Sequence, residues 1–176
     1  GLLENVLITE AFCSSDSSIG TALSLSTVGS EMLLRFGTEE LKATWLPKLA
    51  EGEILCGRAL TETKRGEDYL NIQTTAEQKG ESWVINGSKL YVDNGGDVNT
   101  GIYVVLCRTE TDEASPEKGL SLFLVEADRP GLKTGPIGKK LGNNLIATSS
   151  LVLEQVEVPA SALIGTAGKG YTHLQD

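Results

Sequence analysis

Residues 74–96 read TTAEQKGESWVINGSKLYVDNGG, a series of short apolar runs separated by turn residues. Alternating β-branched and aromatic runs bounded by Gly and Asn are typical of antiparallel strands. Asn86-Gly87 is the clearest turn signal, because both central residues of a type I′ hairpin turn need positive φ. The sequence therefore predicts a hairpin that turns at Asn86-Gly87, and a further sharp turn at residues 94–96.

The same pattern of short apolar runs separated by turn residues continues on both sides of this stretch, from residue 54 onward. A polar, aperiodic segment at 110–118 reads as an exposed loop between two strands. Many short strands of this kind indicate an antiparallel barrel or sandwich of about eight strands. The predicted strands cover residues 54–60, 71–78, 82–86, 88–92, 102–109, 120–126, 132–134 and 148–156.

The amino-terminal third has the periodicity of helices instead. Apolar spacing predicts helices over residues 2–12, 19–36 and 38–46, with Gly37 ending the second and Pro47 ending or bending the third. The predicted fold class is therefore α+β, with short amino-terminal helices packed on an antiparallel β-barrel or sandwich of about eight strands.

Composition excludes several classes of function. The 176 residues carry 24 acidic and 15 basic side chains, for a net charge of -9. Such a surface repels the phosphates of nucleic acids and anionic lipids, so neither is an expected partner. No run reaches the roughly 20 apolar residues of a membrane span. The first residues have no basic segment of the kind that begins a signal peptide.

The cysteine and histidine content argues against disulfide and metal chemistry. Cys13, Cys56 and Cys107 lie far apart in apolar surroundings, so we expect buried, inert thiols in a reducing compartment. The expected location is the cytoplasm, or the mitochondrial matrix if the source is eukaryotic. His173 is the only histidine, which gives little support for a metal site or a hydrolase triad.

An ordered set of motifs extends over nearly the whole chain. The segments are FGTEELKATWLPKLAEGEILCGRALTE at 36–62, INGSKLYVDN at 85–94, GLSLFLVEADRPGLKTG at 119–135, KKLG at 139–142 and LVLEQVEVPASALIG at 151–165. Each motif is weak alone, but together and in this order the set resembles the acyl-CoA dehydrogenase family. The resemblance implies that residues 1–52 end a helical amino-terminal domain, 53–162 form the middle β-domain and 163–176 begin a carboxy-terminal helical domain.

The resemblance also implies an activity. Members of the family remove an α-proton and a β-hydride from an acyl-CoA thioester, with FAD as the hydride acceptor. Electron-transfer flavoprotein is the implied electron acceptor, and a homo-oligomer the implied assembly. The family's catalytic base is a Glu of the carboxy-terminal domain, so we expect no catalytic residue in this chain. On its own, the chain is expected to be inactive and to hold FAD weakly or not at all.

Cofactor-binding positions follow from the resemblance residue by residue. A reduced flavin gains negative charge toward N1 and O2, which fixed N–H and O–H donors stabilise. The Ala-Leu-Thr-Glu motif would lie against the pyrimidine side of the ring, a glycine-containing loop would approach the pyrophosphate, and the hairpin would cover the ring and N5. In this sequence these positions are Ala59, Leu60, Thr61, Gly66, Glu67, Tyr91, Val92 and Asp93.

Three departures from the family pattern fall at ligand-facing positions. Glu67 replaces a Ser, with Lys64 and Arg65 beside it, and residues 143–148 lack the usual Arg and Ser-Asp-Thr run. Asp93 replaces a Thr, and an ionised carboxylate cannot donate to N5 although a protonated one could. Asp93 is therefore either a retuned flavin contact or a sign that the site no longer holds flavin.

Two alternative functions follow from these departures. One is a non-catalytic relative that acts as a structural or interaction module. The other is an acyl-CoA oxidase or a flavin monooxygenase of similar architecture.

Overall fold

The computed structural model describes residues 1–63, 68–110 and 115–176. Four helices precede the first strand, and a short one follows the last. Of these described helices, none is long and apolar enough to cross a membrane. Their bounds are α1 (Leu2–Ser15), α2 (Ser17–Leu25), α3 (Ser30–Phe36), α4 (Glu39–Ala50) and α5 (Gly170–Gln175).

The predicted single helix over 19–36 is two helices, so this prediction was wrong. Gly29, at the start of α3, has a left-handed backbone with φ of 79°. A Cβ at this position would lie 2.5 Å from the Sγ of Cys56 on the sheet. The helix is therefore interrupted where glycine lets the backbone approach the sheet closely.

Pro47 does not end the third predicted helix, because α4 continues to Ala50. A proline inside a helix removes one N–H, and the remaining backbone bonds keep the last turn in place. The Thr38 hydroxyl caps the other end by accepting a hydrogen bond from the backbone N–H of Leu41 at 3.2 Å.

The described strands form one mixed sheet in the order β6-β7-β3-β1-β4-β5-β8, with β2 pairing β3 and β4. This confirms the α+β class and the number of strands. The sheet is not a closed barrel, and it is not wholly antiparallel, because β1 and β2 run parallel to β4. The strands are β1 (Leu55–Ala59), β2 (Thr75–Lys79), β3 (Ser82–Asp93), β4 (Thr100–Arg108), β5 (Leu120–Glu126), β6 (Leu132–Thr134), β7 (Thr148–Pro159) and β8 (Leu163–Ile164).

The predicted hairpin turn at Asn86-Gly87 was also wrong, because β3 runs unbroken through both residues. The β2–β3 hairpin turns at residues 80–81 instead, between the paired Lys79 and Ser82. At Asn86-Gly87 the register with β7 shifts, as in a β-bulge. Glycine is needed there because a Cβ would lie 2.4 Å from the Thr74 hydroxyl.

The turn predicted at residues 94–96 is confirmed, with Asn94 at φ 56° and Gly96 at φ 77°. The Asn94 side-chain amide donates to two carbonyls, those of Leu25 at the end of α2 and Cys56 in β1, both at 3.0 Å. This one amide therefore ties the helices to the sheet.

Two apolar clusters form the core, one on each side of the sheet. The first includes Trp83 and Phe123, and the second includes Leu33 and Leu122 and faces α3 and α4. Cys56 and Cys107 are buried, and burial raises the pKa of each thiol to about 12, as expected for inert thiols. Cys13 is only partly buried.

Candidate cofactor site

The end of β1 and the end of β3 lie side by side and bring most of the predicted site residues together. The backbone N–H of Leu90 donates to the Thr61 carbonyl at 2.9 Å, and Arg58 is the cross-strand partner of Asp93. Segments 58–61 and 90–93 are therefore neighbours. Gly66 and Glu67, together with Lys64 and Arg65, lie outside the described residues.

Burial divides the predicted residues into two groups. Ala59 and Val92 are fully buried in the first apolar cluster, and Leu60 is buried in the second. Their side chains are occupied with packing, so only their backbone atoms could meet a ligand. Of the predicted residues that the structure describes, Thr61, Tyr91 and Asp93 are the ones whose side chains could contact a ligand.

Thr61 and Tyr91 have the features of ligand-binding residues. Within the described part of the chain, neither hydroxyl has a hydrogen-bond partner. Tyr91 is 69% exposed, and its backbone has φ of 55°. A bulky residue in this region is strained, and such strain is concentrated at functional sites.

Asp93 is not isolated, because its Oδ2 accepts a hydrogen bond from the Arg58 guanidinium at 3.0 Å. Sequence reasoning missed this pair. The signal that could have found it was the opposite charge of residues facing each other across two strands. Using that signal requires the register of β1 against β3, which the misplaced hairpin turn obscured.

A second ion pair supports the same segment from inside the protein. Lys89 Nζ lies 3.0 Å from Glu62 Oε1, and both side chains are buried. Lys89 also donates to the Leu60 carbonyl at 3.1 Å. The turn that follows β1 is thus fastened to β3 through this one ammonium group.

The Glu62 carboxylate has a full set of donors. Its Oε1 accepts from the hydroxyl of Thr74 at 2.6 Å and the N–H of Thr74 at 2.9 Å, and its Oε2 accepts from the N–H of Gln73 at 2.7 Å. Burial acts to raise the pKa of Glu62, but Lys89 and these donors outweigh it and hold the pKa below its usual value. Burial lowers the pKa of Lys89.

Two cavities border the site. Arg58 and Leu60 contribute to the wall of one, of about 350 Å³, beneath α2 and α3. Tyr91 lines another, of about 370 Å³, with Lys139 and Lys140 and with residues 148–150 at the start of β7. Lys140 Nζ there donates to the Ile146 carbonyl at 2.5 Å and the Thr148 hydroxyl at 3.1 Å.

The His173 side chain is engaged in packing, because its ring stacks on that of Phe36 with the ring centroids 4.1 Å apart. Burial lowers the pKa of His173, which favours the neutral ring. In the described ranges, no three His, Cys, Asp or Glu side chains are grouped so that they could hold a metal ion.

Comparison with known proteins identifies the family. A family model for the acyl-CoA dehydrogenase middle domain matches residues 57–156, and one for the N-terminal domain matches residues 1–53. The chain is 34% identical over 172 residues to a glutaryl-CoA dehydrogenase of Desulfococcus multivorans, a match that covers 97% of this chain and 43% of the relative.

Solved structures agree with these matches. An acyl-CoA dehydrogenase from Geobacillus kaustophilus superposes with a TM-score of 0.89 at 35% identity, covering 97% of this chain and 44% of that one. A glutaryl-CoA dehydrogenase from Mycobacterium smegmatis in complex with FADH2 has a TM-score of 0.78 at 32% identity, covering 89% and 38%.

The chain therefore belongs to the acyl-CoA dehydrogenase family of flavin-dependent oxidoreductases, and it spans about two-fifths of the length of these relatives. The matched residue ranges do not test the domain boundaries at 52 and 162, which stay a prediction.

The chemistry of the strand-end residues fits a flavin ring. The ring system is planar and rich in acceptor atoms, so it needs an aromatic surface and hydrogen-bond donors. Tyr91 offers an exposed ring and Thr61 an unengaged hydroxyl within the described part of the chain. Asp93 as a carboxylate would offer only acceptors, but it is paired with a guanidinium.

Proposed function

We propose that residues 1–176 are part of a longer flavin-dependent acyl-CoA dehydrogenase that introduces an α,β double bond into an acyl-CoA thioester. The observation that carries this proposal is the juxtaposition of segments 58–61 and 90–93 in a chain of this family. FAD, when bound, would accept the hydride. The predicted contacts are Ala59, Leu60, Thr61, Gly66, Glu67, Tyr91, Val92 and Asp93.

The roles of the residues follow from their surroundings. The buried Lys89–Glu62 pair keeps the backbone at residues 60–62 in a fixed position, so that its polar groups need not reorganise when charge develops on a ligand. Tyr91 would cover the ring by stacking, and the Thr61 hydroxyl would donate to the pyrimidine edge.

We further propose that residues 1–176 alone are inactive, because the α-proton requires a carboxylate base that can meet the substrate. Glu62, the buried carboxylate nearest the site, is held by four hydrogen bonds and cannot serve as that base. A homo-oligomeric assembly, electron-transfer flavoprotein as electron acceptor, and a cytoplasmic or matrix location complete the proposal. They rest on the family resemblance.

The visible spectrum of the purified full-length protein tests the proposal. We expect a yellow protein whose flavin absorption bleaches when one member of a set of saturated acyl-CoA esters, glutaryl-CoA included, is added anaerobically. A colourless protein that cannot be reconstituted with FAD would refute the proposal and favour the non-catalytic relative. Rapid reoxidation of the bleached flavin by oxygen would instead identify an oxidase or monooxygenase.

A further inference from the structure

Arg58 stands among the predicted flavin contacts, although the resemblance did not name it. It directly precedes Ala59 and faces Asp93 across the β1–β3 pairing. Its side chain is 48% exposed and borders the cavity of about 350 Å³ beneath α2 and α3. The guanidinium therefore has both access to a ligand and space around it.

The hydrogen-bond capacity of the pair lies with Arg58. A guanidinium has five N–H donors, and within the described part of the chain the one hydrogen bond that Arg58 makes is to Asp93 Oδ2. Asp93, as a carboxylate paired with this cation, has no hydrogen to offer a ring nitrogen. The remaining N–H groups of Arg58 can supply the donor that the Asp93 position lacks.

The charges around Arg58 are few. Besides Arg58, two ionisable side chains border this cavity, Glu31 and Tyr69. Glu31 is exposed on α3. Asp93 holds the guanidinium from the sheet side through a charge-assisted hydrogen bond, which is stronger and more directional than a neutral one. The pair is therefore a cation held in a defined orientation.

We propose that Arg58 is the hydrogen-bond donor of the flavin site and that Asp93 is a positioning residue that holds it. This inference rests on the proposed function and goes beyond it by naming the donor. A reduced flavin is protonated at N5 and carries more negative charge toward N1 and O2, so the guanidinium can donate to N5 of the oxidised form and stabilises the reduced form more by charge attraction. The two residues together then replace the hydroxyl donor that the family pattern places at position 93.

Binding of oxidised and reduced FAD to the apoprotein tests this directly, with the full-length protein and both forms titrated anaerobically. For Arg58→Met we expect reduced FAD to bind about tenfold more weakly relative to oxidised FAD than in the wild type. Arg58→Lys keeps the positive charge but lacks the planar guanidinium. It is expected to restore part of the wild-type preference for reduced over oxidised FAD. Asp93→Asn keeps an acceptor for Arg58 but removes its charge. For this variant we expect reduced FAD to bind about threefold more weakly relative to oxidised FAD than in the wild type.

The matched control is Lys133→Met, which removes a cation from a solvent-exposed pair with Glu154 on the β6–β7 edge. For this variant, the ratio of the affinity for reduced FAD to that for oxidised FAD is expected to stay within about twofold of the wild-type ratio. If Arg58→Met does not fold, Arg58→Gln removes the same charge and carries the same expectation.

The outcomes separate this inference from the proposed function. A wild-type apoprotein that binds neither form of FAD overturns both. A wild type that binds FAD, with Arg58→Met weakening both forms equally or neither, overturns the role of Arg58 and leaves the proposed function standing. A change confined to the reduced form supports the inference, because a purely structural role would affect both forms.

Discussion

Two ion pairs connect β3 to the end of β1 and to the turn that follows it, and they lie in opposite surroundings. The Lys89 and Glu62 side chains are 0% and 8% exposed, whereas Arg58 and Asp93 are 48% and 23% exposed. The buried carboxylate is saturated with donors from the protein. The open pair leaves most of the guanidinium unengaged within the described part of the chain.

This difference separates a pair that can only support the fold from a pair that has hydrogen-bond capacity for a ligand. A charge buried in the protein is tolerated only when its partners satisfy it, so the Lys89–Glu62 pair can hold the backbone but has no capacity left for a ligand. A pair at the surface contributes little to folding, so its chemistry is available for binding. The site thus has a rigid inner support and an open outer face.

Breaking the buried pair should have the largest effect. Lys89→Met leaves the Glu62 charge without its cation, and we expect the free energy of unfolding to fall by about 3–5 kcal/mol. Urea unfolding of the chain, followed by tryptophan fluorescence, measures this. The double variant Lys89→Met with Glu62→Gln should recover a substantial part of the loss, since no buried charge remains. Equal losses in the single and double variants would show that the cost is packing alone.

Removing a single donor from the buried pair should cost less. Thr74→Val keeps the shape of the side chain but deletes the hydroxyl that donates to Glu62 at 2.6 Å. A hydrogen bond to a charged group contributes about 1.5–3 kcal/mol, and we expect a loss of stability in that range by the same urea measurement. Thr75→Val, one residue along on the half-buried side, is the matched control. A loss no larger than the control's would contradict the role of the hydroxyl.

Acid should weaken the buried pair within a defined pH window. The pKa of Glu62 is lowered in the folded chain, so the stabilisation from its ionised form is fully present above the ordinary value of 4.5 and is lost as pH falls through the lowered pKa. The stability difference between the wild type and Glu62→Gln should therefore shrink below pH 4.5. Unfolding measured between pH 7 and pH 3 would contradict this if the difference stayed constant.

Breaking the open pair should have the smallest effect on folding. For Arg58→Met we expect a loss of about 0.2–1 kcal/mol, as is typical of exposed ion pairs, and a loss that decreases further at high salt. The urea midpoint at low and high salt is the measurement. A salt-independent loss comparable to that of Lys89→Met would mean that the two pairs do not differ in role.

Sequence reasoning succeeded where local patterning determines the structure. The strands predicted at 120–126 and 132–134 have the observed limits, because glycines flank them at 119, 131 and 135 and the first is an almost continuous apolar run. It failed at two glycines. Gly29 and Gly87 are required by the close approach of Cys56 and Thr74, both distant in sequence, and a sequence alone does not distinguish that requirement from a turn.

The site was predictable only in part, for a similar reason. The motifs predicted Thr61, Tyr91 and Asp93 as flavin contacts, which stays a prediction, and the structure places their segments side by side. Arg58, like the saturation of Glu62, depends on which residues face each other across strands. That register is set by long-range pairing, so these contacts were not visible in the sequence.

The amide of Asn94 has a consequence for how the chain folds during its synthesis. It bonds the Leu25 carbonyl, 69 residues earlier, so α2 cannot be fixed to the sheet until the turn after β3 has left the ribosome. At about 5–20 residues per second, that delay is roughly 3–14 s. Through this interval α2 is made, but its last turn is not yet bonded to the sheet.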